Sequence, residues 1–113
     1  MKLVIVKKVD DNTTLFKYTG TSENKYVLTK KTGETREGFW YDVTIFWADI
    51  DKCSKVEFSQ APHKTDFLNN PSALEDALSD NVLKFPCNAE MGMKHGVATN
   101  DEKKLLGLLE TKN

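Results

Sequence analysis

Cysteine is scarce in this sequence, which has only Cys53 and Cys87. Two cysteines are too few for a disulfide-rich secreted domain, and their separation does not form the CxxC pattern of redox and zinc sites. We therefore expect two free thiols that pack as small, partly buried side chains in a reducing compartment.

Long hydrophobic runs are also missing. The longest candidate, Leu3–Val6, has four residues, whereas a secretory signal needs about 7–15 apolar residues and a membrane span about 18. Lys7 and Lys8 close this run on the side opposite to the one a signal peptide uses. The expectation is a cytoplasmic protein with no membrane association, provided that the natural chain begins at Met1.

No charge sign predominates, because 16 basic residues face 17 acidic ones and the net charge is −1. This balance argues against an acidic DNA mimic and against a generally basic nucleic-acid binder. Arginine is limited to Arg36, and arginine is the residue preferred for bidentate recognition of phosphates. The chain does have 39% hydrophobic and 10% aromatic residues, which excludes disorder and predicts one domain over residues 1–113.

The first half of the chain predicts an antiparallel meander, since strand-like segments alternate with turn signals about every ten residues. Asp10-Asp11-Asn12 and Gly20–Asn24 supply turn-forming side chains. Lys31–Glu34 is predicted as a third turn, in which Gly33 can adopt a positive φ. Leu3–Val6 is uniformly apolar and predicts a short strand covered on both faces.

The strongest alternation lies in residues 38–49 and predicts the central strand of the sheet. Its odd positions are all apolar or aromatic and are expected to face the core, whereas its even positions are mixed. The odd set is Phe39, Tyr41, Val43, Ile45 and Trp47, and the even set is Trp40, Asp42, Thr44, Phe46 and Ala48. A further strand is expected at 54–59.

Capping signals predict two helices in the second half. The first covers about residues 71–79 and begins with either Asn70 or Ser72 as its cap. The second covers about 100–110, begins with a Thr99/Glu102 capping box, and contains Gly107 in its interior.

The predicted fold class is therefore α+β. An antiparallel sheet of five or six strands spans about residues 2–59 as a meander, with a possible extra strand at 82–85 and a loop at 86–98. One face of this sheet is expected to be packed by both helices. Parallel βαβ units are disfavoured because the early turns are too short for crossovers.

Aromatic residues concentrate near one hairpin and predict a surface that binds a protein partner. Trp, Tyr and Arg are enriched at interface hot spots, and the strand carries five of the eleven aromatic residues beside the sole arginine. The predicted partner-binding residues are Arg36, Phe39, Trp40, Tyr41 and Phe46. We expect a small non-enzymatic intracellular interaction module of the inhibitor, immunity-type or adaptor kind.

Single-stranded nucleic acid is the alternative partner. Lysines interleave with aromatics in Phe16-Lys17-Tyr18 and Lys25-Tyr26, and a sheet with such residues can stack bases and hold phosphates. The balanced net charge disfavours this alternative without removing it, because a local basic patch is compatible with a neutral total.

A metal site is the second alternative. The 87–95 segment holds a thiol, two thioethers and an imidazole as weak candidate ligands, and such soft ligands suit Cu(I) or zinc. The residues are Cys87, Met91, Met93 and His95. Their spacing matches no zinc pattern, and the chain has no phosphate loop, HExxH or GxSxG motif. No catalytic residue and no cofactor is predicted, and the oligomeric state is left open.

Overall fold

A six-stranded antiparallel sheet forms the centre of the molecule in a computed structural model that describes residues 3–19, 24–48, 53–63, 66–78 and 94–107. Each strand pairs with its neighbour in sequence, so that the strand order is β1-β2-β3-β4-β5-β6. The strands are β1 (Leu3–Asp10), β2 (Thr13–Tyr18), β3 (Asn24–Thr35), β4 (Gly38–Ala48), β5 (Cys53–His63) and β6 (Lys94–Val97). The helices are α1 (Pro71–Ala77) and α2 (Asn100–Leu105). This confirms the predicted α+β fold with a meander sheet.

The strand register gives the sheet two chemically different faces. One row across β2, β3, β4 and β5 consists of Phe16, Val27, Ile45 and Val56, and it defines the core face. The adjacent row on the other side consists of Leu15, Leu28, Thr44 and Glu57, and it defines the open face. Since side chains alternate along a strand, the alternation predicted for β4 is confirmed.

Helix α1 covers the core face. Leu74 and Leu78 are buried with Phe67 and Leu68 against the strands. Asn70 caps the helix, because its side chain accepts the Ala73 N–H at 3.2 Å. Of the two predicted caps, Asn70 is thus the one used, with Pro71 in the first helical turn.

Helix α2 lies on the opposite, open face. Leu106 and Ala98 are buried there with Leu15 and Phe46. The expectation that both helices pack on one face is wrong. The chain returns to the sheet as β6 between the two helices, which gives α2 access to the side that α1 does not cover. The Thr99/Glu102 capping box is confirmed.

Two glycine predictions are corrected. The β3–β4 turn lies at Arg36 and Glu37 rather than at Gly33, and Gly38 supplies the positive φ of 136°. The Thr35 hydroxyl stabilises this turn by accepting the Glu37 N–H at 3.2 Å. Gly107 does not lie inside a helix, because its φ of 79° follows the C-cap and ends α2.

The sheet edges also differ from expectation. β6 lies within the predicted 86–98 loop, and it pairs with β5 through Ser54–Glu57. The possible strand at 82–85 lies outside the described residues. β1 is not covered on both faces, because only Leu3 is buried while Val4, Ile5 and Val6 are exposed. Neither helix in the described ranges has the length and apolar character needed to cross a membrane.

Candidate functional site

The end of the β3–β4 hairpin projects an arginine and a tryptophan. We define the hairpin end as residues 33–40. Arg36 lies in the turn and is exposed, Phe39 is half-buried, and Trp40 retains 38% of its surface exposed. Three of the five predicted partner-binding residues therefore have accessible surface at one end of the sheet.

The cross-strand neighbour of Trp40 on β3 has no side chain with which to cover it. Trp40 pairs with Gly33 on β3, next to an irregularity between Lys31 and Gly33. A Cβ placed on Gly33 would meet nothing within 4 Å. Sequence alternation places Trp40 on the open face, but its lack of cover depends on this pairing with Gly33.

An aromatic series supports the hairpin end from the core face. Phe39 contacts Tyr41 edge-to-face at 6.4 Å between ring centroids, and Tyr41 lies 4.7 Å from Phe67. Lys31 Nζ lies 5.0 Å from the Phe39 ring centroid, within cation–π distance. These contacts link the hairpin end to the core. We call the packed rings of Phe39, Tyr41 and Phe67 the aromatic base of the hairpin end.

Tyr41 belongs to this base rather than to the surface. Its side chain is fully buried, and its hydroxyl oxygen accepts the Phe67 N–H at 3.2 Å. Burial raises the pKa of the Tyr41 hydroxyl, the Phe67 hydrogen bond lowers it, and the Asp66 carboxylate raises it, with a net upward shift. A neutral phenol at physiological pH suits this structural role.

Phe46 is fully buried as well, but on the open face beneath α2. The five residues grouped by sequence proximity are thus divided by the fold. Arg36, Phe39 and Trp40 have accessible surface, whereas Tyr41 and Phe46 pack in separate clusters on opposite faces. Tyr41 and Phe46 have no surface with which to contact a partner in this conformation.

A cavity of about 430 Å³ lies on the part of the open face that α2 does not cover. Leu28 and Thr44 contribute to its lining together with charged and hydroxyl-bearing side chains. These polar residues are Lys30, Asp42, Glu57, Ser59 and Lys94. Trp40 lies two residues before the lining residue Asp42 on the same face of β4, so the hairpin end is adjacent to the cavity.

Charges of both signs alternate around the cavity. Lys30 pairs across strands with Asp42, whose Oδ1 accepts the Ser59 hydroxyl at 2.9 Å. Lys94 pairs across strands with Glu57. The cavity therefore has two cations and two carboxylates, and neither sign prevails.

An ion-pair network holds α2 beside this cavity. Lys55 Nζ lies 2.9 Å from Glu57 Oε1 and 2.8 Å from Glu102 Oε1. Glu102 Oε1 also accepts the Thr99 N–H at 2.9 Å, so that one carboxylate both caps α2 and joins the helix to β5.

The pKa values of this network favour the charged forms. Burial lowers the pKa of Lys55, but hydrogen bonds and charge from Glu102 and Glu57 outweigh it and raise the net value. Burial raises the pKa of Glu102, but the Lys55 and Thr99 interactions outweigh it and lower the net value. The folded state thus stabilises the ion pair that positions α2.

The cavity residues were missed by the sequence predictions. The alternation in β4 placed Asp42 and Thr44 on its mixed even face, but only the strand register brings Asp42 beside Lys30 and Ser59 and Thr44 beside Leu28 and Glu57. Lys94 enters the site through β6, which was predicted as a loop.

The metal prediction is not supported by a described cluster. Cys87, Met91 and Met93 lie outside the described residues, and only the backbone of His95 is described, in β6. Within the described ranges no group of three or more His, Cys, Asp or Glu residues is placed to hold a metal ion.

Comparisons with known proteins supply no further assignment. No protein-family model matches the chain, and no significant match was found among curated proteins or solved structures.

Proposed function

We propose that the protein is a small non-enzymatic interaction module that binds a protein partner through the hairpin end. The observation that carries this proposal is the 38% exposure of Trp40 on a hairpin anchored by the Phe39–Tyr41–Phe67 series. Trp and Arg are the residue types that dominate interface hot spots, and Arg36 is exposed in the adjoining turn.

Trp40 favours tight association because it lies on a strand that is already held in place before a partner binds. Side chains that must be immobilised on binding cost about 0.5–1.5 kcal/mol each. Trp40 belongs to a paired β4 strand whose neighbouring aromatics are already packed. Less conformational freedom is therefore lost when a partner covers Trp40 than when it covers a side chain on an irregular loop.

The chemistry of the surface favours protein over single-stranded nucleic acid. Two carboxylates and two lysines surround the cavity next to Trp40, so there is no excess positive field to attract phosphates. Stacking also needs exposed rings. Within the described ranges Trp40 is the only strongly exposed ring on the open face, whereas Phe46 is fully buried and Tyr26 is half-buried with Lys17 Nζ 5.9 Å from its ring centroid, so the face offers one stacking position rather than a row.

The partner is expected to present an apolar pocket for Trp40 and polar groups of both signs around it. The pocket would cover the indole, while the surrounding groups would pair with Arg36 and with the Lys30 and Asp42 side chains. Roles of this kind include inhibitor, immunity-type and adaptor functions in the cytoplasm.

The test is affinity capture from the source cell followed by reconstitution with the purified partner. Trp40→Ala is expected to weaken the measured affinity by about 30-fold or more, which corresponds to a hot spot of about 2 kcal/mol. Arg36→Ala is expected to weaken it less. Val97→Ala is the matched control, because Val97 is an apolar side chain that is 61% exposed on β6, where it pairs with Ser54 away from the hairpin end.

Two results would contradict the proposal. One is a partner that binds wild type and Trp40→Ala with equal affinity. The other is binding of a single-stranded oligonucleotide that weakens steeply with salt and depends on Lys30 and Lys94, since this would favour phosphate contacts.

A further inference from the structure

Among the described strands, β1 lies at one edge of the sheet, and its surface is unusually apolar. It pairs with β2 on one side and is the first strand in the sheet order. The exposed fractions are 41% for Val4, 41% for Ile5 and 49% for Val6. Of the large hydrophobic residues exposed in the described ranges, most lie on this strand, since Val9 is exposed as well.

The amino-terminal half of β1 is the regular part of the edge. Leu3, Val4 and Ile5 pair in uninterrupted register with β2, whereas shifts follow between Ile5 and Lys7 and between Lys8 and Asp10. Successive side chains point to opposite faces, so Val4 and Ile5 expose apolar surface on both sides of the sheet. A regular strand with apolar side chains and a free main-chain edge can accept another strand.

We propose that β1 accepts an extended segment of a partner protein as an additional antiparallel strand. The segment places apolar side chains beside Val4, Ile5 and Val6, and it places carboxylates beside Lys7 and Lys8. The sheet is antiparallel throughout, so the carboxylates precede the apolar residues in the segment. This surface is separate from the hairpin end and does not rest on the function proposed for it.

The charge of β1 determines which strand it accepts. Lys7 and Lys8 are both exposed, and lysines on an edge strand prevent pairing with unselected strands. A basic segment would place more positive charge beside Lys7 and Lys8. An uncharged segment would leave these two lysines without a partner of opposite charge. An acidic segment would form cross-strand pairs of opposite charge, which stabilise a sheet.

A second copy of this chain is a poorer occupant. If two β1 strands met antiparallel with Ile5 beside Ile5, Leu3 of each copy would lie beside Lys7 of the other. In that register no carboxylate of β1 would lie beside Lys7 or Lys8, because Asp10 is its sole acidic residue and lies at its far end. A register centred on Val9 would pair Lys8 with Asp10, but it uses the part of β1 that is interrupted by register shifts, so the regular half of the edge favours an acidic partner strand over a second copy.

The experiment measures fluorescence anisotropy of a labelled synthetic peptide in which Asp residues precede a short run of Val and Ile. The full chain is expected to bind this peptide, and a peptide with Lys in place of Asp is expected to bind at least about tenfold more weakly. Ile5→Lys is expected to reduce binding of the Asp peptide by a similar factor. Val97→Lys is the matched control, because Val97 is 61% exposed on the opposite edge strand β6.

A charge exchange tests the role of the lysines. The double variant Lys7→Glu with Lys8→Glu is expected to prefer the Lys peptide over the Asp peptide. A peptide methylated on its main-chain nitrogens is expected to lose binding to wild type, because strand addition depends on main-chain hydrogen bonds. Circular dichroism of every variant verifies that the exposed substitutions leave the sheet folded.

Several outcomes would overturn the proposal. These are the absence of binding by the Asp peptide, equal binding of the methylated peptide, and a peptide preference unchanged by the charge exchange. Sedimentation velocity showing a dimer that Ile5→Lys dissociates would assign the edge to a second copy. Loss of peptide binding in Trp40→Ala would also contradict it, because that variant alters only the hairpin end.

Discussion

The two faces of the sheet are built by different means. The core face buries a continuous apolar cluster that runs from Leu3 on β1 to Val56 on β5 and includes α1. The open face has a small cluster under α2, a helix joined to β5 by the Lys55–Glu102 ion pair. Another part of the open face is a polar cavity lined by Asp42, which lies two residues after Trp40 on β4. The core face thus contributes most of the stability. The open face is less constrained by packing and can therefore accommodate a binding surface.

The largest expected effect is a difference in stability loss between substitutions at two adjacent residues of β4, one on each face of the sheet. Ile45→Ala on the core face is expected to lower the free energy of unfolding by about 2–5 kcal/mol, because it leaves a cavity in a fully buried cluster. Thr44→Ala, half-buried on the open face, is expected to change it by less than about 1 kcal/mol. Urea denaturation measures both, and equal losses would contradict the division of roles between the faces.

The next effect concerns the end of α2. Gly107→Ala is expected to cost about 1–2 kcal/mol, because a φ of 79° is unfavourable for a residue with a Cβ. Gly33→Ala is the control, since Gly33 has no positive φ and open space around its Cβ. Alanine there is expected to be neutral or to stabilise the strand by about 0.5–1 kcal/mol. Thermal melts that show equal losses for both variants would argue against a role for the positive φ.

A smaller effect is expected at the start of α2. Thr99→Ala removes the side chain that accepts the Glu102 N–H at 3.2 Å and is expected to cost about 1 kcal/mol. Hydrogen exchange should accelerate in α2 and leave the β4 amides protected. Uniform acceleration across both elements would show instead that α2 unfolds only together with the sheet.

The smallest expected effect is a pH dependence confined to the α2 side. The pKa of Glu102 is below its ordinary value of 4.5, so its contribution is full above that pH and is lost as pH falls through the lower folded value. The pKa of Lys55 is above 10.5, so its contribution is full below that pH and is lost as pH rises through the higher folded value. The expected change is about 1 kcal/mol or less.

Amide chemical shifts followed across the acidic range measure this effect. Residues of α2 are expected to respond while Val43 and Ile45 on the core face do not. In Glu102→Gln the charge is absent, and the acidic response of α2 should disappear. A response that persists in Glu102→Gln would assign the pH dependence to other groups.

Local features of the sequence predicted much of this fold. The alternation in residues 38–49 identified the central strand, the Thr99 signal identified the start of α2, and the start of α1 was predicted at one of two caps, Asn70 or Ser72, of which Asn70 is used. The predictions failed where two positions in the sequence suit the same structural feature. Both Gly33 and Gly38 suit a turn, and the choice of Gly38 depends on how β3 and β4 align along their whole length.

The candidate site was less predictable than the fold. Proximity along the chain grouped Arg36, Phe39, Trp40, Tyr41 and Phe46 as one predicted surface, but only the first three have accessible surface in the structure. Lys94 reaches the cavity through β6, more than fifty residues after Asp42. No pattern within a single segment indicates such a contact.

The amino-acid sequence by itself determined the antiparallel strand pattern, the face to which each β4 side chain points, and the Thr99/Glu102 capping box of α2, and it reduced the cap of α1 to Asn70 or Ser72. These features depend on interactions within a few residues, such as side-chain alternation and the bonding of cap side chains to nearby N–H groups. Only the tertiary structure decided that α1 and α2 cover opposite faces, that Trp40 and β1 keep exposed surface, and that a charged cavity lies beside Trp40. Those outcomes depend on strand register and on which distant segments compete to cover each apolar surface.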